Sequence, residues 1–168
     1  MTDERMGEAL FDAIARVPEG GGVLFRHDAF PDRAALGGKV VAAARQRGLR
    51  VAVAGDVALA EALGADMVHR PSGPTRLPIS LPVHDADEAN AANARGAALV
   101  FVSPVFATSS HPGATALGID RAERLARRCA APRIALGGMN AQSFERLDRK
   151  VFAGWAGIDA FLAPDPTR

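Results

Sequence analysis

Four histidines stand at or just after the ends of predicted strands. They are His27, His69, His84 and His111, and each follows an apolar segment typical of a buried strand. Where parallel strands alternate with helices, the carboxyl ends of the strands share one face, which carries the chemistry of such folds. Histidine titrates near neutral pH, so it can transfer protons or bind anions. The spacing predicts a shared site for acid–base or anion chemistry; the alternative is solvated loop histidines placed there by chance.

A long polar segment follows one of these strands. It covers residues 104–118 and is rich in Ser, Thr, Gly and Pro, and loops of this length in a compact domain are usually functional. Thr108, Ser109 and Ser110 offer three hydroxyls and three backbone N–H groups ahead of His111, which suits a phosphate. The alternative is a flexible connection that avoids apolar residues.

Two other strand ends carry candidate anion-binding groups. Gly137 and Gly138 end a strand directly before a helix, so a ligand could approach the backbone and meet the free N–H groups of the helix N-terminus. Arg26 places a permanent cation where a second phosphate or a carboxylate could be held. The alternatives are a tight strand-to-helix turn that selects glycine, and a salt bridge from Arg26 to Asp56 or another carboxylate.

Several other chemistries find no support in the sequence. The histidines lack the short spacing of metal ligands and no acidic cluster joins them, so no metal site is expected. Asp56 is explained as a helix N-cap, and Asp85 as a cap paired with Glu88 three positions later. The serine-hydrolase, P-loop and dinucleotide-binding motifs are absent.

Composition limits the partners and the compartment. With 168 residues, 48% hydrophobic and 23% charged, the chain suits one globular domain, and its net charge of +1 gives no field for nucleic acid or a membrane. A single cysteine, Cys129, allows no internal disulfide. The charged first residues show neither a signal peptide nor a membrane span. We therefore expect a cytoplasmic protein with small-molecule or protein partners.

Strand and helix patterns alternate along the chain. The predicted strands cover residues 23–26, 50–54, 66–69, 79–83, 98–103, 133–136 and 156–161. The predicted helices cover residues 4–17, 32–47, 57–63, 86–95, 119–130 and 141–147. This alternation demands a parallel sheet, either an open doubly wound sheet or a (β/α) barrel, as one domain over 1–168. Seven strands are counted where a closed barrel has eight.

Three segments resemble the thiamine-phosphate synthase family, which includes the related thiazole tautomerases. They are GADMVH at 64–69, SPVFATSS at 103–110 and ALGGM at 135–139. The resemblance implies a (β/α)8 TIM barrel that binds a thiazole phosphate at its C-terminal face, with Thr108 to Ser110 and Gly137–Gly138 gripping the phosphate. It also matches Thr2-Asp3 to the end of the family's first strand, so most of that strand is missing or the true start lies upstream.

An incomplete first strand would expose a sheet edge, which proteins usually cover. We expect a neighbouring subunit or the N-terminal residues to close the gap, and we expect a homo-oligomer.

The pyrophosphate half of the family site departs from the pattern. Arg26 matches the family's arginine, whereas Asp28 stands where a lysine is expected. The Asn-Asp pair of the magnesium site falls on Ala54 and Gly55, and a second magnesium aspartate falls on Ala58. Because Mg²⁺ needs hard oxygen ligands, the Mg²⁺ expected for a synthase loses its ligands here, and no cofactor is assigned.

Histidines replace two other family residues. His84 stands for a serine and His111 for a lysine, while the tautomerase base falls on Pro104. The first hypothesis is a thiamine-biosynthesis protein that binds a phosphorylated thiazole, with His84 and His111 as acid and base and Arg26 as a further catalytic candidate. The alternatives are an active synthase that joins pyrimidine pyrophosphate to thiazole phosphate, and a non-catalytic phosphate-ligand binding or regulatory protein.

Overall fold

Parallel strands and helices alternate along the chain, as the sequence predicts. The computed structural model describes residues 1–108, 113 and 115–162. The chain forms two compact units, of which the first contains Met1–Pro78 and the chain from Ile158 onward, and the second contains Ile79–Gly157. The described residues include seven strands, three in the first unit and four in the second.

The first unit is a three-stranded parallel sheet with helices against it. Its strands are β1 (Gly22–Phe25), β2 (Arg50–Ala54) and β3 (Met67–His69), in that order. Its helices are α1 (Leu10–Ala15), α2 (Arg33–Gln46) and α3 (Val57–Ala62), with 3-10 helices at Glu4–Ala9 and Asp159–Phe161. The core combines strand and helix side chains, among them Leu10, Ile14, Phe25, Val40, Val53 and Val68. Burial of such side chains stabilises the unit by about 1.5–3 kcal/mol each.

Residues near the N-terminus lie along β1. The Thr2 N–H donates to the Leu24 carbonyl at 2.8 Å. The Thr2 hydroxyl also accepts the Arg26 N–H at 3.0 Å, which extends the contact past the end of the strand. Of the two ways we expected the β1 edge to be covered, N-terminal residues supply the covering at this point.

The second unit is a four-stranded parallel sheet. Its strands are β4 (Ile79–Val83), β5 (Leu99–Val102), β6 (Arg133–Leu136) and β7 (Gly154–Ala156), in chain order. Its helices are α4 (Ala86–Ala94), α5 (Ile119–Ala126) and α6 (Ala141–Phe144). The unit has its own core, which includes Val83, Val100, Val102, Leu125 and Phe152.

Helix starts follow local side-chain chemistry. Asp32, Asp56 and Asp85 precede α2, α3 and α4, and each carboxylate accepts the N–H three residues on, at 2.9–3.3 Å. The predicted caps at Asp56 and Asp85 are therefore confirmed. The predicted helix over 4–17 is wrong as a single helix, because Glu4–Ala9 is a 3-10 helix kinked at Gly7, where φ is +48°, and only Leu10–Ala15 is α-helical.

The last predicted strand, 156–161, is also wrong. The strand is Gly154–Ala156, and Asp159–Phe161 forms a 3-10 turn. Ile158 contributes to the apolar pattern that predicts a strand here. Its side chain is 7% exposed and packs in the core of the first unit, so its apolar character reflects burial and not a strand. None of the helices among the described residues is long and apolar enough to cross a membrane.

Candidate functional site

The parallel strands of the second unit carry three of the predicted groups at one edge. His84 directly follows β4, the segment from Ser103 to Thr108 follows β5, and Gly137 follows β6. Because these strands are parallel and adjacent in the order β4-β5-β6, their carboxyl ends lie side by side. This edge is the candidate phosphate site of the second unit.

The base of the 104–118 segment is anchored. The Val105 N–H donates to the Leu136 carbonyl at 2.8 Å and so ties the segment to β6. At its far end, the Leu117 N–H donates to the Pro104 carbonyl at 2.8 Å and the Gly118 N–H donates to the Val105 carbonyl at 3.0 Å. The described ends of the segment are therefore held in place by backbone hydrogen bonds.

Gly137 and Gly138 let that segment pack directly on the end of β6. A Cβ on Gly137 would lie 2.7 Å from the Pro104 Cα, and one on Gly138 would overlap the Ala107 carbonyl oxygen. Both residues also have positive φ, +90° and +61°. Protein backbone fills the space that the two missing side chains leave, so close packing explains the glycines.

The backbone donors at this turn remain available. Within the part of the chain that the structure describes, the N–H groups of Gly137 and Gly138 have no hydrogen-bond partner. Asn140 and Ser143 satisfy each other, since Asn140 Oδ1 accepts the Ser143 N–H and Ser143 Oγ accepts the Asn140 N–H, each at 2.8 Å. The glycine N–H groups are therefore the candidate anion donors.

The structure describes only part of the segment that carries Thr108, Ser109 and Ser110. Thr108 is partly buried. Ser109, Ser110 and His111 lie outside the described residues, so their predicted roles stay predictions.

His84 forms a pair with a carboxylate. Its Nδ1 lies 2.7 Å from Glu88 Oε2, and its backbone N–H donates to the same oxygen at 2.7 Å. Because a carboxylate accepts hydrogen bonds, this contact places the proton on Nδ1 and leaves Nε2 free to act as a base. The sequence had assigned Glu88 only to a capping box and missed it as the partner of His84.

The first unit buries the other two described histidines. His27 is 3% exposed, stacks on Phe25 with 5.2 Å between ring centroids, and its Nδ1 lies 3.1 Å from the Thr2 hydroxyl. Burial lowers its pKa. His69 is 5% exposed, and burial, together with the charges of Arg70 and Arg26, lowers its pKa to about 4. Both are therefore neutral at physiological pH.

The sequence offers two roles for Arg26, anion binding or a salt bridge to a carboxylate, and in the structure Arg33 forms the salt bridges. Arg26 is partly buried, its Nη1 lies 3.1 Å from the Met1 sulfur, and among the described residues it forms no ion pair. Arg33 pairs with both aspartates, with Nη2 at 2.8 Å from Asp28 Oδ1 and Nη1 at 3.9 Å from Asp56 Oδ2. Sequence reasoning missed Arg33, whose only signal was its position at the start of the helix after β1.

Comparison with solved structures defines the fold class. Thiamine phosphate pyrophosphorylase from Pyrococcus furiosus superimposes with a TM-score of 0.81, covering 98% of this chain and 86% of that one, at 24% identity. The two proteins share an α/β fold.

Sequence comparison gives the family. The model of the thiamine monophosphate synthase family matches residues 2–161. The thiamine-phosphate synthase of Roseiflexus sp. strain RS-1 is 32% identical over 186 residues, which cover 99% of this chain and 78% of that protein. A protein of Aquifex aeolicus strain VF5 with the name "Putative thiamine-phosphate synthase 2" is 32% identical over 84 residues, which cover half of this chain and 45% of that protein. The chain belongs to the thiamine monophosphate synthase family.

The Mg²⁺ that the family implies does not fit the residues present. Ala54, Gly55 and Ala58 supply no side-chain oxygen where the resemblance places magnesium ligands. The nearby carboxylates of Asp28 and Asp56 are engaged by Arg33. No group of three His, Cys, Asp or Glu side chains within the described ranges could hold a metal ion.

Proposed function

We propose that this chain acts in thiamine biosynthesis by binding a phosphorylated thiazole at the carboxyl ends of the strands of the second unit. The observation that carries the proposal is the pair of unpartnered N–H groups on Gly137 and Gly138. They lie beside the anchored segment that leads to Thr108, Ser109 and Ser110. Backbone donors held in a fixed turn suit a phosphate, because they need no reorganisation to bind it.

The proposal gives His84 and His111 the acid–base roles. Conversion between thiazole tautomers needs one group that removes a proton and one that returns it. The Nε2 of His84 can remove a proton, since Glu88 holds Nδ1 at 2.7 Å. His111 is the second partner by its place in the sequence, and Arg26 remains a candidate for charge stabilisation.

We also propose that the chain closes as one (β/α)8 barrel domain and assembles as a homo-oligomer. The pairing of Thr2 with the edge of β1 supports a first strand contributed by residues near Met1. Sedimentation of the purified protein tests the oligomeric state; a monomer at all concentrations would contradict that part.

Calorimetric titration with thiazole phosphate tests the binding. We expect heat release and a higher melting temperature at millimolar ligand, both with the native chain and with the His84→Asn variant. Absence of both signals in the native chain would overturn the proposal.

Turnover of the thiazole tautomer should fall in His84→Asn, which lacks the proton-transferring imidazole. It should fall less in Glu88→Gln, because a neutral amide oxygen accepts the Nδ1–H hydrogen bond less strongly than a carboxylate does.

The same assays distinguish the two alternative functions, an active synthase and a protein that only binds its ligand. An active synthase would form thiamine phosphate from pyrimidine pyrophosphate, thiazole phosphate and Mg²⁺. A protein that only binds would release heat with thiazole phosphate, show no turnover, and show no change in ligand affinity when His84 and His111 are both replaced by alanine.

A further inference from the structure

Three oxygen atoms of the first unit converge on one guanidinium. Arg33 Nη2 donates to Asp28 Oδ1 at 2.8 Å and to the Ala54 carbonyl at 2.6 Å, and Nη1 lies 3.9 Å from Asp56 Oδ2. Asp28 follows β1, while Ala54 and Asp56 stand at and after the end of β2. One arginine thus joins two strand ends through hard oxygen atoms.

This oxygen set is of the kind that a divalent cation uses. Two carboxylates and a carbonyl are typical ligands of Mg²⁺ and Mn²⁺. The Arg33 side chain is only 17% exposed and lies over the Phe25 ring at 5.7 Å, so packing holds its charge between the two aspartates. The guanidinium stays protonated at any physiological pH. A second cation at this place would be repelled.

We propose that the Arg33 guanidinium is the resident cation of these strand ends and takes the place of a divalent metal. The first unit then carries a fixed positive charge where its family uses an exchangeable ion. Because Arg33 occupies Asp28 and Asp56, Arg26 keeps its charge for an anion. Anion binding by this chain is therefore independent of Mg²⁺.

Mn²⁺ binding to the whole protein, followed by electron paramagnetic resonance, tests the proposal. The native chain should bind no Mn²⁺ at millimolar concentration. Arg33→Ala should bind it more tightly by at least about tenfold, because a competing charge is removed and three oxygen atoms are released. Arg33→Met, which keeps an apolar stem over Phe25, should do the same, and a circular dichroism melt shows that each variant is folded.

Arg45→Ala is the matched control. Arg45 also pairs with an aspartate, Asp66, at 3.0 Å and donates to the Gly64 carbonyl at 3.0 Å. Removing it releases a single carboxylate, and Asp66 already accepts the Val51 N–H, so no Mn²⁺ binding should appear. Equal Mn²⁺ binding in the native chain and the Arg33 variants, or no gain over Arg45→Ala, would overturn the proposal.

The anion side of the proposal uses inorganic phosphate as the probe. Its affinity for the native chain should be the same in EDTA and in millimolar Mg²⁺, and loss of affinity in EDTA would overturn the proposal. Neither probe contains a thiazole. A failure to bind thiazole phosphate would therefore not affect the Mn²⁺ and inorganic phosphate results. A failure of those two tests would likewise not affect the thiazole phosphate proposal.

Discussion

At the scale of single residues, the described histidines differ in environment. His27 and His69 are buried and neutral, and His84 is half exposed and paired with a carboxylate. Position after a strand was the shared signal, but burial gives each side chain a different capacity to exchange protons. Only His84 among them combines access to solvent with an orienting partner.

Burial of His69 should make the protein less stable in mild acid. The unfolded chain has the ordinary histidine pKa near 6.5, and the folded chain has a pKa of about 4. Between these values the unfolded state binds more protons, so stability present above pH 6.5 is lost as pH falls towards 4. From pH 7.5 to 5 we expect a loss of about 2 kcal/mol in the free energy of unfolding, measured in urea.

Two variants test the assignment of this loss. His69→Gln should remove most of the pH dependence in that range, leaving the smaller effect of His27, whose pKa shifts in the same direction. Phe11→Ala, which removes an exposed side chain that does not titrate, should keep the pH dependence of the native chain. An unchanged slope in His69→Gln would show that another group is responsible.

At the scale of elements, the turn after β6 depends on close backbone packing. Gly138→Ala should lower the free energy of unfolding by about 3 kcal/mol, since a Cβ would meet the Ala107 carbonyl and the Phe106 Cβ in addition to the cost of positive φ. Urea unfolding measures the loss. The same substitution should weaken phosphate binding, because it displaces the N–H donors.

Gly64→Ala is the matched substitution. Gly64 has φ +62°, close to the +61° of Gly138, but nothing lies within 4 Å of its added Cβ. It should cost only about 1 kcal/mol, the backbone contribution alone. Equal losses in the two variants would contradict the role given to packing at Gly138.

At the scale of the whole molecule, each unit has a core of its own. Phe152 is 1% exposed in the core of the second unit, so Phe152→Ala should cost about 3–5 kcal/mol in urea unfolding. Phe11 is 39% exposed, and Phe11→Ala should change stability by no more than about 0.5 kcal/mol.

Hydrogen exchange shows where the Phe152 variant is weakened. The amides of β4 to β7 should exchange faster, with a smaller effect on β1 to β3. Equal acceleration in both sheets would show that the two cores open together.

Much of the fold could be predicted from sequence, because its signals are local. Apolar runs and glycine stops indicated six of the seven described strands, and the caps at Asp56 and Asp85 were expected from residue type. The error at the last strand lies where contacts between residues distant in sequence determine the local structure. Ile158 contributes an apolar position to the predicted strand, but it precedes a 3-10 turn and packs in the core of the first unit, against residues distant in sequence.

The candidate site divides in the same way. Sequence alone determined the alternation of strands and helices, the family, and the strand ends that bear Arg26, His84 and Gly137–Gly138, since these follow from neighbouring residues and motifs. Only the tertiary structure decided that Glu88 orients His84 and that Arg33 joins Asp28 to the end of β2. Those contacts depend on side-chain direction and on how strands pair, which the order of residues does not state.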